Sequence, residues 1–371
     1  MIVPFAYETS PLLRLLIAAA MLFAVPPAFA QSLEQMAGQM IVIGFAGNDA
    51  DDASVIAIRD EIAAGLLGGV MYLKPNIASL RRVTEMNQAF RDASPDLPPF
   101  LTVDQEGGEV ERLDAGIGFK ESPSARTIAA AASPEGAEAV YADMAGRVAD
   151  LGFTVNWGPV VDLDINPRNP IIGGFGRSYS KDPATVIAYA KAFIEAHHAA
   201  GLLTALKHFP GHGSSTTDSH EGYVDITHTW KEAELDPYRE LLAGGYADFV
   251  MVGHLIHRAY TQTTEQLPAS LSHEWITGVL RGQLGFTGVV VSDDLEMAAI
   301  RKHFNLRETV VKAVNAGVDV LLFGNTADYR AGLADEIRTI LVAEAEADPQ
   351  FRARIEESYG RIVALKQRIG D

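Results

Sequence analysis

The sequence predicts an α/β protein, a (β/α)8 TIM-like barrel in a single domain. Three observations carry that prediction. Eight short β-rich runs recur along the chain, each apolar on consecutive positions, as strands buried on both faces must be. Longer stretches with apolar residues at helical spacing separate them. The runs also end in polar and charged residues, which a barrel of this kind gathers at the carboxyl ends of its strands.

In chain order the strand candidates are QMIVIGF (39–45), GGVMYL (68–73), PFLTVDQ (99–105) and FTVNWGPVVDL (153–163). They continue with LLTALKHFP (202–210), ADFVMVGH (247–254), GVVVSDDL (288–295) and GVDVLLFG (317–324). Between the fourth and fifth runs, PATVIAYAKAFIEAHHAAG (183–201) shows the helical pattern and ends on a glycine stop. The last segment places Ile355, Ser358, Ile362, Leu365 and Ile369 along one face of a closing helix. No G-x-G-x-x-G turn follows the first run, so a dinucleotide-binding open sheet is disfavoured. No Pro/Ser/Gly-rich linker divides the chain, and one domain spans 31–371.

Composition narrows the partners. A chain of 371 residues that is 48% hydrophobic buries a large core. Its formal net charge of -18 argues against a nucleic-acid backbone or an anionic membrane as the main partner. The absence of cysteine removes disulfides, thiolate nucleophiles and Cys-ligated zinc. Residues 1–30 read as a signal peptide: LLRLLIAAAMLFAV (12–25) is too short to span a bilayer and leads to PPAFA, with cleavage after Ala30. A periplasmic or secreted protein follows. The n-region carries Glu8 and no basic residue before Arg14, which leaves a cytoplasmic form open if the start codon is misassigned.

The strand ends supply the chemistry. They carry Asp104-Gln105-Glu106, Asp162 and Asp164, Lys207-His208, His254, and Ser292-Asp293-Asp294. KHFPGHGSSTTDSH (207–220) holds three of the chain's ten histidines. His208 and His212 have the spacing of a helical ligand pair, but Pro210 and Gly211 between them break a helix, and H-E-x-x-H is absent. No metal and no cofactor are expected. Asp218 and His220 are i and i+2, so in extended chain the carboxylate can fix the imidazole's tautomer and raise its basicity. Such a histidine serves as a general acid and base near neutral pH. Of the two acids after the seventh run, Asp293 is the candidate nucleophile and Asp294 is expected to cap a helix start. No G-x-S-x-G elbow is present.

Taken together, KHFPGHGSSTTDSH, VDQEGGEVERL (103–113), GRSYSKDP (176–183) and VSDDLEM (291–297) resemble family 3 glycoside hydrolases, in their single-domain β-N-acetylhexosaminidase branch. The resemblance runs from about Leu33 to the closing helix. It implies a barrel and retaining hydrolysis of β-linked N-acetylglucosamine, with Asp293 as nucleophile, His220 as acid/base and Asp218 as its partner. It further implies that Asp104, Arg112, Arg177, Lys207 and His208 bind the sugar. The expected partner is a small carbohydrate, either a peptidoglycan fragment or a chitin oligosaccharide; no membrane span is expected in the mature chain, and nothing sets an oligomeric state. Transfer to phosphate, a β-glucosidase and a non-catalytic sugar-binding protein of the envelope are the alternative readings. His212 is assigned to loop structure, and residues 213–217 have the composition of a mobile segment.

Overall fold

The computed structural model describes residues 31–260, 266–326 and 328–369. The predicted leader, residues 1–30, lies outside the described residues. Each of the eight apolar runs contains a strand: β1 (Ile41–Gly44), β2 (Gly69–Tyr72), β3 (Phe100–Val103), β4 (Val155–Asn156), β5 (Leu203–Phe209), β6 (Phe249–Val252), β7 (Val289–Ser292) and β8 (Leu321–Phe323). They pair in parallel in the order β7-β6-β5-β4-β3-β2-β1-β8. The ends of that order meet through a parallel bridge between Val291 and Val320, where the Ser292 N–H donates to the Val320 carbonyl at 3.0 Å. The sheet is thereby nearly closed into a barrel.

The fourth run is the one whose strand is much shorter than its apolar stretch. Pro159 has no N–H to give a ladder, and the chain leaves the sheet after Asn156. It returns as the single bridge Val160–Lys207, with the Val161 N–H on the Lys207 carbonyl at 2.9 Å. That detour carries Asp162 and Asp164 beyond the strand, onto the face where β5 ends.

Helices fill the connections, among them Ala53–Ala63, Leu80–Ala93, Pro134–Asp150, Pro183–Ala199, Asp236–Ala243, the π-type helix Glu274–Gln283 and Leu306–Ala316. The helix Pro183–Ala199 begins where Asp182 accepts the Thr185 N–H at 3.0 Å. It stops before Gly201, whose φ of 76° lies in the left-handed region that glycine tolerates. Leu306–Ala316 opens with a reciprocal capping box between Asn305 and Glu308. The closing helix Pro349–Lys366 buries Phe351, Ile355, Ser358, Ile362 and Leu365. Each large apolar side chain among them contributes about 2 kcal/mol of burial.

Inside the barrel Phe100 and Trp157 each set an edge against Phe249, at 5.2 Å between centroids. The Trp157 indole N–H is satisfied by Thr102 Oγ1 at 2.9 Å. At the amino-terminal end of the strands Lys366 plugs the barrel. Its Nζ donates to Gln39 Oε1 and the Gly68 carbonyl, both at 2.7 Å, and lies 4.7 Å from the centre of the Phe100 ring. Burial lowers its pKa to about 7. The polar groups with chemical potential lie at the other end. Among the described residues no helix is long and apolar enough to cross a membrane.

Candidate active site

A buried charge network spans the ends of β3, β5 and the excursion after β4. Asp104 follows β3 directly, and the chain then turns through a short hairpin of Gln105–Gly107 and Val110–Glu111. The Gln105 side chain fixes that hairpin: its Oε1 accepts the N–H groups of Arg112 and Leu113 at 3.2 and 3.0 Å. Lys207, on β5, reaches Asp104 Oδ1 at 2.8 Å and Glu106 Oε1 at 2.6 Å. Arg177 forks onto Glu106 with two contacts of 2.8 Å, and Arg112 meets Asp104 at 3.2 Å.

Burial alone would push both carboxyls up. The surrounding cations outweigh it, chiefly Lys207 and Arg112 at Asp104 and Arg177 and Lys207 at Glu106, so both pKa values fall. By the same balance Lys207 and Arg177 rise, their carboxylate partners overcoming desolvation. Lys207, Arg177 and the two carboxylates are thereby fixed as charged groups.

His208 is oriented by two neighbours. Its Nδ1 lies 2.7 Å from Asp162 Oδ2, and its Nε2 lies 3.2 Å from a guanidinium nitrogen of Arg177. Arginine only donates, so Nε2 accepts and the ring proton sits on Nδ1, facing Asp162. Asp162 also accepts the backbone N–H groups of His208 and His212, the latter at 2.7 Å.

His212 is buried, with Nδ1 2.6 Å from Ser215 Oγ, and burial lowers its pKa to about 4. Its partner Ser215 lies on the same loop, and His212 also lines the cavity. His208 and His212 rings stand 5.9 Å apart and turn to different partners. Among the described residues no group of three or more His, Cys, Asp or Glu is arranged to hold a metal ion.

At the end of β7 the adjacent acids diverge. Asp293 lies beside His254 and His208. Burial would raise its carboxyl, but those imidazoles and the Asp294 N–H, which donates to Asp293 Oδ1 at 2.8 Å, prevail, and its pKa falls to about 2. Asp294 goes the other way. Desolvation dominates, aided by the charge of Asp293, and its pKa rises to about 6. Its Oδ1 accepts the N–H of Glu296 at 2.9 Å and of Gly324 at 2.8 Å. Asp294 therefore staples a turn to the end of β8; the helix Ala298–Arg301 begins only after Met297, so Asp294 is not its cap.

His254 is fully buried and bridges the same region, with Nε2 2.8 Å from the Asp294 carbonyl and Nδ1 2.8 Å from Ser270 Oγ. A carbonyl only accepts, so the His254 proton is on Nε2 and the serine hydroxyl donates to Nδ1.

The loop after β5 carries the remaining pair. Asp218 Oδ1 accepts both the His220 N–H at 2.8 Å and the ring, whose Nδ1 is 2.7 Å away. The His220 side chain is 65% exposed, so its Nε2 side is open to a ligand. The loop is not free along its whole length. The Gly213 N–H donates to Glu234 Oε2 at 2.9 Å, Asn166 donates to the Ser215 carbonyl at 2.8 Å, and Asn169 donates to the His212 carbonyl at 2.7 Å. A Cβ on Gly213 would sit 1.6 Å from the Leu163 carbonyl oxygen, which only glycine permits. The expectation of a mobile 213–217 is corrected for Gly213, Ser214 and Ser215: they are buried and pinned.

Asp104, Arg112, Arg177, Lys207 and His208 line one cavity of about 240 Å³. Asp218, His220 and Asp293 line the same cavity. An ionised carboxylate, a carboxylate-anchored imidazole and a charged floor are thus brought together. That combination suits displacement at an electrophilic carbon with proton transfer to the departing oxygen.

Residues 32–363 match the model of the glycosyl hydrolase family 3 N-terminal domain. The chain belongs to glycosyl hydrolase family 3. This family 3 glycosidase is 38% identical over 292 residues to a beta-hexosaminidase of Xylella fastidiosa, covering 76% of the chain and 82% of that protein. Among solved structures it is similar to a family 3 beta-N-acetylglucosaminidase from Paenibacillus (TM-score 0.82, 34% identity), covering 91% of this chain and 63% of the other. It is also similar to a beta-N-acetylhexosaminidase from Beutenbergia cavernae (TM-score 0.78, 31% identity), covering 91% and 99%.

Three polar residues of the glycosidase's site were noted in sequence only as strand-end groups. Glu106 holds Arg177 and Lys207, Asp162 orients His208 and the loop backbone, and His254 lies beside Asp293. Their positions at strand ends were the available signal. Their partners lie on other strands, and no local spacing reveals that.

Proposed function

We propose that this family 3 glycosidase is a retaining β-N-acetylhexosaminidase that releases terminal β-linked N-acetylglucosamine from peptidoglycan fragments or chitin oligosaccharides. The observation that carries the reading is the pairing, on one cavity, of an Asp293 held ionised with a His220 anchored through Nδ1 to Asp218. Asp293 attacks the anomeric carbon while the His220 imidazolium gives its proton to the leaving oxygen, through an oxocarbenium-like transition state. His220, now neutral, then takes a proton from water. That water opens the glycosyl–Asp293 ester with inversion for the second time, so the β-configuration is retained. Asp218 stabilises the imidazolium and fixes the tautomer in both steps. Asp104, Arg112, Arg177 and Lys207 take sugar hydroxyls and the acetamido group by charge-assisted hydrogen bonds, and His208 completes the sugar-binding set beside Arg177.

The test is an assay of aryl β-N-acetylglucosaminide beside aryl β-glucoside, with and without phosphate, for wild type, Asp293→Ala and His220→Ala. The acetamido sugar is expected to react far faster, and phosphate to leave the rate unchanged. Asp293→Ala is expected to be inactive. His220→Ala should slow glycosides with poor leaving groups about 100-fold or more and good ones much less, since these need little protonation. Equal rates on both sugars would remove the hexosaminidase reading, and a glycosyl phosphate product would favour the phosphorylase. Export belongs to the same proposal through residues 1–30, with a mature N-terminus at Gln31 as its signature.

A further inference from the structure

His220 stands on an exposed loop, and the described contacts of its ring are with Asp218, on the same loop. Something outside the loop must set its distance from Asp293, because proton transfer to the leaving oxygen needs both groups in register. Among the described contacts, three reach residues 219–223 from the chain just beyond Asp293, while Val224, next along, pairs with Leu255. The Ala299 N–H donates to the Ser219 carbonyl at 3.4 Å. Lys302 Nζ donates to the Glu221 carbonyl at 2.9 Å. The rings of Tyr223 and His303 stack, with centroids 3.5 Å apart and planes 12° from parallel.

Ala299, Lys302 and His303 lie in and immediately after the short helix Ala298–Arg301, which follows the turn stapled by Asp294. Nucleophile and clasp are therefore on one rigid stretch of chain. Tyr223 is 36% exposed and belongs to the rim, not the core. Its stack adds little to global stability, as surface contacts do.

We propose that Tyr223, His303 and Lys302 form a clasp that holds the His220 loop in register with Asp293, making them positioning residues for the acid/base step. This rests on His220 being the acid/base. Released from the clasp, the loop keeps its anchored base at Gly213 to Ser215 and loses its hold only around His220.

The experiment compares kcat/KM on N,N'-diacetylchitobiose, a poor leaving group, with 2,4-dinitrophenyl β-N-acetylglucosaminide, a good one. Tyr223→Ala and His303→Ala are expected to lower the first by about 10- to 100-fold, as a misplaced acid does, and the second by less than about 2-fold. Tyr223→Phe and His303→Phe keep the stack and should restore the wild-type ratio of the two rates. Melting temperatures within about 3 °C of wild type would show that folding is intact. Equal losses on both substrates, or no loss on either, would overturn the clasp. The outcome for His220→Ala keeps the two ideas apart. If it lacks the leaving-group split, the acid/base reading itself fails. If it splits while the Tyr223 and His303 variants do not, only the clasp fails.

Discussion

Glu106 balances two cations at once, Arg177 through a fork and Lys207 through its second oxygen. Burying charges on this scale is costly, and the network persists because each group has a partner with good geometry. Removing one partner leaves buried charge uncompensated. Glu106→Gln keeps the shape and loses the charge, so it is expected to cost about 3 kcal/mol, read as a lower urea midpoint. An unchanged midpoint would show that the network is solvated. Asp104, Arg112, Arg177, Lys207 and His208, singled out in sequence through their motif contexts, line one cavity. Glu106 was visible only as a strand-end acid because its importance comes from Arg177 and Lys207, each far away in sequence and brought to it only by barrel closure.

At the scale of elements, the loop after β5 divides into a fixed base and an exposed tip. Its glycine, serine and threonine composition suggested mobility throughout, but composition cannot show that Glu234, Asn166 and Asn169 hold its base. Glu234 makes that base pH-sensitive. Burial raises its pKa to about 7, against about 4.3 when unfolded. Between those values the folded chain holds a proton that the unfolded chain has released. Stability from this group is thus full below about pH 4.3 and declines as pH rises through 7. Glu234→Gln keeps an acceptor for the Gly213 N–H and removes the ionisation. Relative to wild type it should gain stability as pH goes from 5 to 8, measured by thermal melting at each pH. An offset that stays constant across that range would contradict the shift.

For the whole molecule, the apolar runs were enough to read all eight strands, because strands covered on both faces have no polar side to disguise them. The shortened β4 shows where such reading stops: the apolar stretch continues while Pro159, with no N–H, interrupts the ladder and leaves the isolated bridge Val160–Lys207. Closure then does what no run of sequence records. It brings β3, β5 and β7 to one mouth, where Asp293 meets the imidazoles of His254, His208 and His220 and stays ionised. The central claim is that this carboxylate attacks the sugar. Its most direct test is mass spectrometry of the protein quenched during reaction with a slowly turned-over fluorinated N-acetylglucosaminyl donor, followed by peptide mapping. One added glycosyl mass is expected on the peptide containing Asp293, absent in Asp293→Ala. A label on Asp294 or Glu106, or no label while product accumulates, would contradict it.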